Sequence, residues 1–400
     1  MKAVILAAGE GHRMRPLTSH RPKVMLPIVN KPIMEHLLIE AKEAGIGEFI
    51  FVVGYCDEQV REYFGNGEKW GVSITYSEQR KQLGTADAIR NVEGAVDGNF
   101  LVINGDVIIG REDIRHLKNK KHSTMSVIEV EDPRGLGMVE LSGGKVVNIY
   151  EKTAAPPSLM ANTGLYLFTP EIFEAISRTE KSPRGEYEIT DSLQLLMGTE
   201  NGLHYQVLKS WLDLSYPWDL LRANESMLAG LESQNLGTVE ENVVLKGAVA
   251  IGKDTVIKSG SYIEGPVIIG EGCAIGPNCY IRASTAIADG CHIGAAVEVK
   301  NSIIMRGSKI PHFNYVGDSV IGEKCNLGAG TKIANLRLDK ADIHIAGIDT
   351  HRRKLGAIMG DNVETGINAS INVGSIIGDK AFIGPGALAY GVIKPGSRIF

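Results

Sequence analysis

Two stretches of this 400-residue sequence combine residue types that can do chemistry. In the first, Leu6-Ala7-Ala8-Gly9-Glu10-Gly11-His12-Arg13 sets a glycine-rich turn directly after an apolar run. Such turns let backbone N–H groups close on phosphate oxygens. Arg13, Arg15 and Lys23 follow, cations suited to neutralising charge on a phosphate. The turn has neither the GK[ST] of a P-loop nor the third glycine of a dinucleotide fingerprint, which speaks against an ATPase or a dehydrogenase. Asn104-Gly105-Asp106 closes a second buried run, Phe100 to Ile103. Open α/β sheets place their ligands at such strand ends, so Asp106 reads as a magnesium ligand. The second stretch is built around His312, whose residue type can take a proton from an attacking group.

The elements that must position these residues change character along the chain. Up to about Tyr216, short β-branched runs (Val4 to Leu6, Phe49 to Val53, Phe100 to Ile103) alternate with helical patterns such as Ile33 to Ala44. This predicts a Rossmann-like α/β domain with a parallel sheet over residues 1–215. Pro217 and the stripe Leu220, Leu221, Met227, Leu228 and Leu231 predict a linker helix within 216–237.

In residues 238–400 a six-residue period takes over. Ile251, Ile257, Ile263, Ile269, Ile275, Ile281, Ile287, Ile293, Val299 and Met305 fall in step, often followed by glycine. That period fits a coil of three short strands per turn, with one aliphatic side chain pointing inward from each face. Cys273, Cys279 and Cys291 share one repeat position with Thr255 and Ser261, which reads as small residues filling a tight coil. After Met305 the next members are Ile321, Leu327 and Ile333, in a shifted phase. The shift implies about four extra residues near 307–314, extruded as a loop that carries His312. A second disruption covers 339–356 and includes Arg352-Arg353-Lys354, cations that could receive phosphates but read first as a solvated charge run.

Composition narrows the partners. A net charge of -5 gives no broad basic field, so small polar ligands fit better than nucleic acid. The N-terminal apolar run is too short to cross a membrane, and no membrane partner is expected. Five cysteines without a CxxC pair suggest free thiols in a reducing, cytoplasmic setting.

The glycine-rich turn joined to Arg21-Pro22-Lys23-Val24-Met25-Leu26-Pro27 resembles the signature of the sugar-phosphate nucleotidylyltransferase family. The resemblance gives Arg13 and Lys23 the triphosphate, and Ala8, Gly9, Gly11, Gln79, Gly84 and Thr85 the nucleotide. It makes Asp213 the partner of Asp106 on Mg2+, and assigns Gly137, Glu151, Lys152 and Asn162 to the sugar. Leu136-Gly137-Met138 departs from the Tyr-Gly-Arg usual in bacterial uridylyltransferases, which leaves the sugar open. The six-residue period resembles the hexapeptide repeat of left-handed β-helices, and the handedness is what that resemblance implies.

Arg282, Lys300, His312, Tyr315 and Asn335 resemble the acetyltransferase half of the bifunctional glucosamine-1-phosphate acetyltransferases and N-acetylglucosamine-1-phosphate uridylyltransferases, in the two-domain archaeal form. By that resemblance His312 is the general base, and Arg282, Lys300, Tyr315 and Asn335 hold the amino-sugar acceptor. Ala329 contacts acetyl-CoA, and the coils assemble as a homotrimer. Two other readings remain open at this stage. One is a single-activity pyrophosphorylase for glucose or mannose 1-phosphate whose coil serves only for assembly. The other is a regulatory subunit without chemistry.

Overall fold

The computed structural model describes residues 1–133, 135–151 and 156–400. Its packing divides the chain into two compact units. The first comprises Met1–Glu10, Arg21–Met25 and Pro32–Asp213; the second comprises Gly11–His20, Leu26–Lys31 and Leu214–Phe400.

In the first unit, β-branched runs form β1 (Lys2–Ala7), β2 (Glu48–Val53), β3 (Ser73–Glu78) and β4 (Phe100–Asn104). The chain continues through β5 (Val107–Ile109), β6 (Thr124–Glu129), β7 (Gly137–Ser142), β8 (Lys145–Glu151), β9 (Met160–Phe168), β10 (His204–Val207) and β11 (Trp211–Asp213). Nine of these make one sheet in the order β3-β2-β1-β4-β9-β6-β10-β8-β7, and β5 and β11 form a separate ribbon. β1 pairs in parallel with β2 and β4, as the alternating pattern predicts. The far half differs: β9 runs antiparallel to β4 and β6, and β7 and β8 form an antiparallel pair. Short connections such as Gly143-Gly144 between β7 and β8, with no helix between them, permit only antiparallel neighbours.

Successive residues of β1 point to opposite faces. Ile5 joins a core with Leu37, Leu38 and Phe51, and Val4 joins one with Ile89, Phe168 and Leu193. The sheet is thus covered on both sides, and its central strands read as unbroken apolar runs for that reason.

The second unit is a left-handed parallel β-helix whose strands stack into three sheets of nine, nine and eight. The helix Asp219–Leu228 precedes it, and the first coil strand is Gln234–Asn235. Asn224 on that helix donates to the Ser284 carbonyl at 3.0 Å and accepts from the Val29 N–H at 3.0 Å.

Every inward position predicted from Ile251 to Val299 is buried in the coil core. Beyond Val299 the register differs from expectation. The next inward residues are Ile304, Ile310, Val316, Ile321, Leu327 and Ile333, with Ile287 facing Ile304 and Ile304 facing Ile321. The period is shortened by one residue between Val299 and Ile304, and again between Val316 and Ile321. In a period of six, two single losses shift the phase by the same amount as a gain of four. The sequence pattern therefore could not separate contraction from extrusion. His312 lies at the end of the strand Lys309–His312, paired with Ala295, and no loop is extruded there. The second disruption is a true insertion: Ile321 faces Met359 on the next coil, and the intervening chain carries an antiparallel hairpin of His344–Ile345 and Ile348–Asp349.

The cysteine position also has a physical explanation. Thr255, Cys273, Cys291, Ser308 and Cys325 occupy one corner, and each side chain approaches a carbonyl on the next coil. The sulfur distances are all 3.2 Å. Burial raises the thiols of Cys273 and Cys279 above the ordinary range and pushes those of Cys291 and Cys325 up to about 12. Only the thiolate is nucleophilic, so these four should be inert. Of the five thiols, all free, only Cys56 is not buried. Titration of the native protein with a disulfide reagent at pH 8 should detect Cys56 alone, and all five after denaturation. Rapid reaction of a second native thiol would contradict this packing.

Candidate functional site

Within the first unit, the end of β4 carries the acidic position. A Cβ on Gly105 would collide with the Leu6 carbonyl and the Val24 side chain, so only glycine allows the chain to turn there. The Gly105 N–H donates to the Leu6 carbonyl at 2.9 Å, fixing Asp106 beside the end of β1. Lys23 is almost wholly buried, and its Nζ lies 2.6 Å from Asp106 Oδ2. β11 pairs with β5 so that Asp213 faces Val107, the neighbour of Asp106. Both predicted acidic positions therefore sit at one place. No group of three or more His, Cys, Asp or Glu side chains suited to a metal exists among the described residues. Two carboxylates fit Mg2+, which commonly takes one or two and completes its shell with phosphate oxygens and water.

The predicted nucleotide segment is stitched to a second segment of the same unit. The Tyr187 N–H donates to the Leu83 carbonyl at 2.7 Å, and Ala86 N–H returns a bond to the Tyr187 carbonyl at 2.9 Å. Gly84 is held at φ +106°, where a Cβ would strike the Tyr187 backbone. Thr85 Oγ1 accepts from the Ile189 N–H at 3.0 Å. Buried Gln79 donates through Nε2 to the Gly84 carbonyl at 2.9 Å and to Asp87 Oδ2 at 3.0 Å, so its amide orientation is fixed. Ala8 is fixed by bonds to its carbonyl from the Tyr55 N–H and Gln82 Nε2. A Cβ at Gly9 would enter open space, so packing does not demand glycine at that position.

Gly137 pairs with Glu151 across β7 and β8, and Met138 pairs with Ala161 of β9, which brings Gly137, Glu151 and Asn162 to one end of the sheet. Asn162 exchanges hydrogen bonds with the buried Tyr166 hydroxyl at 2.8 and 2.9 Å. Arg184 approaches Glu151 at 3.6 Å and Glu188 at 2.9 Å. Lys152 lies outside the described residues. Gly11 and Arg13 belong to the second unit. Gly11 is left-handed at φ +69°, and the Arg13 guanidinium lies over the Tyr216 ring at 5.4 Å.

The coil assembles the remaining predicted residues. Lys300-Asn301 and Gly317-Asp318 occupy the two contracted corners, one directly above the other, with the Asp318 N–H donating to the Lys300 carbonyl at 2.9 Å. Asp318 is buried, and Lys300 Nζ lies 3.3 Å from its Oδ2. Asn301 Nδ2 reaches its Oδ1 at 2.8 Å, and Asn335 Nδ2 reaches its Oδ2 at 2.5 Å. Asn335 Nδ2 also donates to the Tyr315 hydroxyl at 3.1 Å. Burial and then the Asp318 charge raise the Tyr315 phenol above its usual value. Arg282 pairs with Glu298 at 2.8 Å, and Tyr280, Glu298 and Tyr315 stack in register on successive coils. His312 stands three residues before Tyr315, around one corner of the coil. Its carbonyl accepts from the Gly330 N–H at 3.0 Å, so Ala329 adjoins it on the next coil. Between them Phe313 holds φ +53° and is exposed, although a bulky side chain disfavours that conformation.

Asp318 is the residue that sequence reading missed. A lone Asp after Gly317 has the look of an ordinary turn residue, and its signal would have been the loss of one residue from the period at that corner.

A model of the nucleotidyl transferase family matches residues 2–230. The chain belongs to the nucleotidyl transferase family. A further model, described as the GMPPB C-terminal domain, matches residues 263–384. The chain is similar to the "Bifunctional protein GlmU" of Methanocaldococcus jannaschii, 42% identical over 97% of this chain and 94% of that protein. It is also similar to the "Bifunctional sugar-1-phosphate nucleotidylyltransferase/acetyltransferase" of Sulfurisphaera tokodaii, 41% identical over 97% of both. Among solved structures, a putative glucose-1-phosphate thymidylyltransferase from Bacillus anthracis matches with a TM-score of 0.53 and 30% identity, covering 59% of this chain and 98% of that one. The similarity to the two archaeal proteins thus extends through both units. Among the described residues, no helix is long and apolar enough to cross a membrane.

Removal of the Asp318 carboxylate tests the coil cluster. Asp318→Ala should leave Lys300, Asn301 and Asn335 without their acceptor and destabilise the second unit by about 3 kcal/mol, the scale for breaking a buried pair. Denaturant unfolding followed on that unit measures it. A change no larger than that of an ordinary surface substitution, about 0.5 kcal/mol, would show that the cluster does not hold the corner.

Proposed function

We propose that the chain makes a nucleotide sugar in two steps at separate sites: acetyl transfer from acetyl-CoA to the amine of glucosamine 1-phosphate, then transfer of uridylyl from UTP to the N-acetylated product. The coil cluster carries this reading. A module serving only for assembly has no need of a buried carboxylate that orients a lysine and an asparagine around Tyr315, three residues after His312. The names of the relatives agree with the bifunctional reading over the single-activity alternative.

At the first site, the sugar phosphate oxygen attacks the α-phosphate in line and pyrophosphate leaves, so no side-chain nucleophile is needed. Lys23, held against Asp106, neutralises charge on the phosphates, and Arg13 keeps the same role by its place in the glycine-rich signature. Asp106 and Asp213 would hold Mg2+, which when bound supplies further charge neutralisation. The backbone of Ala8, Gly9, Gly11 and Gly84, with Gln79 and Thr85, positions the nucleotide. Gly137, Glu151, Lys152 and Asn162 position the sugar.

At the second site, His312 takes the proton from the amine as nitrogen attacks the thioester carbonyl, and the CoA thiolate leaves. Lys300 and Arg282 face the sugar phosphate, while Tyr315 and Asn335 orient the hydroxyls. Ala329 borders the coenzyme next to His312. Coils packed side by side as a homotrimer complete the reading.

Two variants test the separation. His312→Ala should lower CoA release from glucosamine 1-phosphate by about a hundredfold or more, the scale of lost general base catalysis, and leave uridylyl transfer to preformed N-acetylglucosamine 1-phosphate intact. Asp106→Asn should do the reverse. Parallel loss of both activities in either folded variant would overturn two independent sites.

A further inference from the structure

The insertion that follows Asn335 builds a cavity of about 590 Å³ lined by Leu336, Lys340, His351, Arg352, Arg353 and Lys354. It is a shaped feature and not a fraying loop. Leu336 bridges Lys354 across its neck, and the Leu355 N–H donates to the Asn335 carbonyl at 3.0 Å. Farther out, Ile343 N–H donates to the Arg352 carbonyl at 3.0 Å, and Ile343 and Ile345 are buried. Two of the insertion's carboxylates already have partners: Asp339 pairs with Arg337 at 2.6 Å, and Asp349 lies beside His344 and the cavity residue His351. Among the described residues, no carboxylate lies within 4.0 Å of the side-chain nitrogens of Lys340, Arg352, Arg353 or Lys354. Burial lowers the Arg352 guanidinium below its usual value, and the charges of Asp318, Glu225 and Asp219 oppose that in decreasing order without pairing with it. Four cations gathered around one cavity with no ion-paired carboxylate repel one another, a cost that an anionic ligand removes.

We propose that this cavity binds the nucleotide phosphates of acetyl-CoA, a proposal that rests on the acetyltransferase reading. Three observations favour this ligand. The cavity has the size of a nucleotide site and not of a single phosphate. The lone phosphate of the acceptor sugar already has Lys300 and Arg282 in the cluster. The cavity starts at Leu336, one residue from Asn335, so a ligand seated in it adjoins the acceptor. The diphosphate and 3′-phosphate of the coenzyme offer several negative charges, which the planar forks of Arg352 and Arg353 suit in particular. The run Arg352-Arg353-Lys354 is therefore a binding element and not the solvated charge that its sequence suggests.

The test uses the full chain and the double variant R353A/K354A, both positions exposed and unpaired, with the unfolding midpoint as control. The KM for acetyl-CoA should rise about tenfold or more, and that for glucosamine 1-phosphate should stay within about twofold. Acetyl-dephospho-CoA, which lacks the 3′-phosphate, should be a poorer substrate than acetyl-CoA for the wild type, and the variant should lose that discrimination. Calorimetry with 3′,5′-ADP should show binding to the wild type and not to the variant. Equal KM values and equal discrimination in the two proteins would overturn the proposal. So would binding of UDP-N-acetylglucosamine at these residues with 3′,5′-ADP silent, which would make the cavity a product-sensing site. If the wild type binds 3′,5′-ADP but never releases CoA, the cavity stands as a nucleotide-phosphate site and only the acetyltransferase reading falls.

Discussion

The coil is governed by register. Each strand hydrogen-bonds to the coils before and after it, and one aliphatic side chain from each face must fill the narrow interior. Along the sides of the coil the six-residue period is therefore fixed, and any change in length has to be absorbed at a corner. Here two successive coils each lose one residue at the same corner, between Val299 and Ile304 and between Val316 and Ile321. That double contraction stacks Asp318 on Lys300 and Asn301. Asn301 and Asp318 hold positive φ, as Ser284 does at the same corner one coil earlier, and Asn and Asp tolerate this conformation better than most residues. The next length change, after Ile333, is the insertion that builds the basic cavity. The buried charge cluster and the basic cavity of this half of the chain both lie where the period is broken.

Much of the architecture was legible because both halves have strong periodicity. The alternating runs gave the α/β class, although the antiparallel pairings of β7, β8 and β9 were not anticipated: β9 is as apolar as a parallel strand, and for β7 and β8 the short connection Gly143-Gly144 is what reveals their direction. The six-residue repeat located the coil core as far as Val299. It failed at Met305 because a phase carries no sign: minus two and plus four are the same in a period of six. His312 was thus assigned to a break that the structure puts elsewhere: it lies between Ile310 and Val316, where the period of six is kept.

The candidate sites were legible in proportion to how far backbone constraints wrote themselves into the sequence. Gly84 and Gly105 stand where a Cβ would strike backbone, so the motifs around them retain a readable form. Gly164 is similar, since its Cβ would overlap the Asn104 side chain. Asp318 was illegible because its role depends on three side chains from other coils or corners, a relation that one sequence does not display. Arg352-Arg353-Lys354 was ambiguous for a related reason. A charge run is solvated by default, and the sequence does not show that these residues line one cavity beside the neck between Leu336 and Lys354.

The central claim is that one chain both acetylates the sugar and activates it. The most direct measurement supplies the wild-type protein with glucosamine 1-phosphate, UTP, Mg2+ and acetyl-CoA carrying a ¹³C-labelled acetyl group, and identifies the nucleotide product by mass spectrometry. The account predicts UDP-N-acetylglucosamine carrying the label, with CoA and pyrophosphate released in equal amounts. A nucleotide sugar without the label, or pyrophosphate released without CoA, would contradict it.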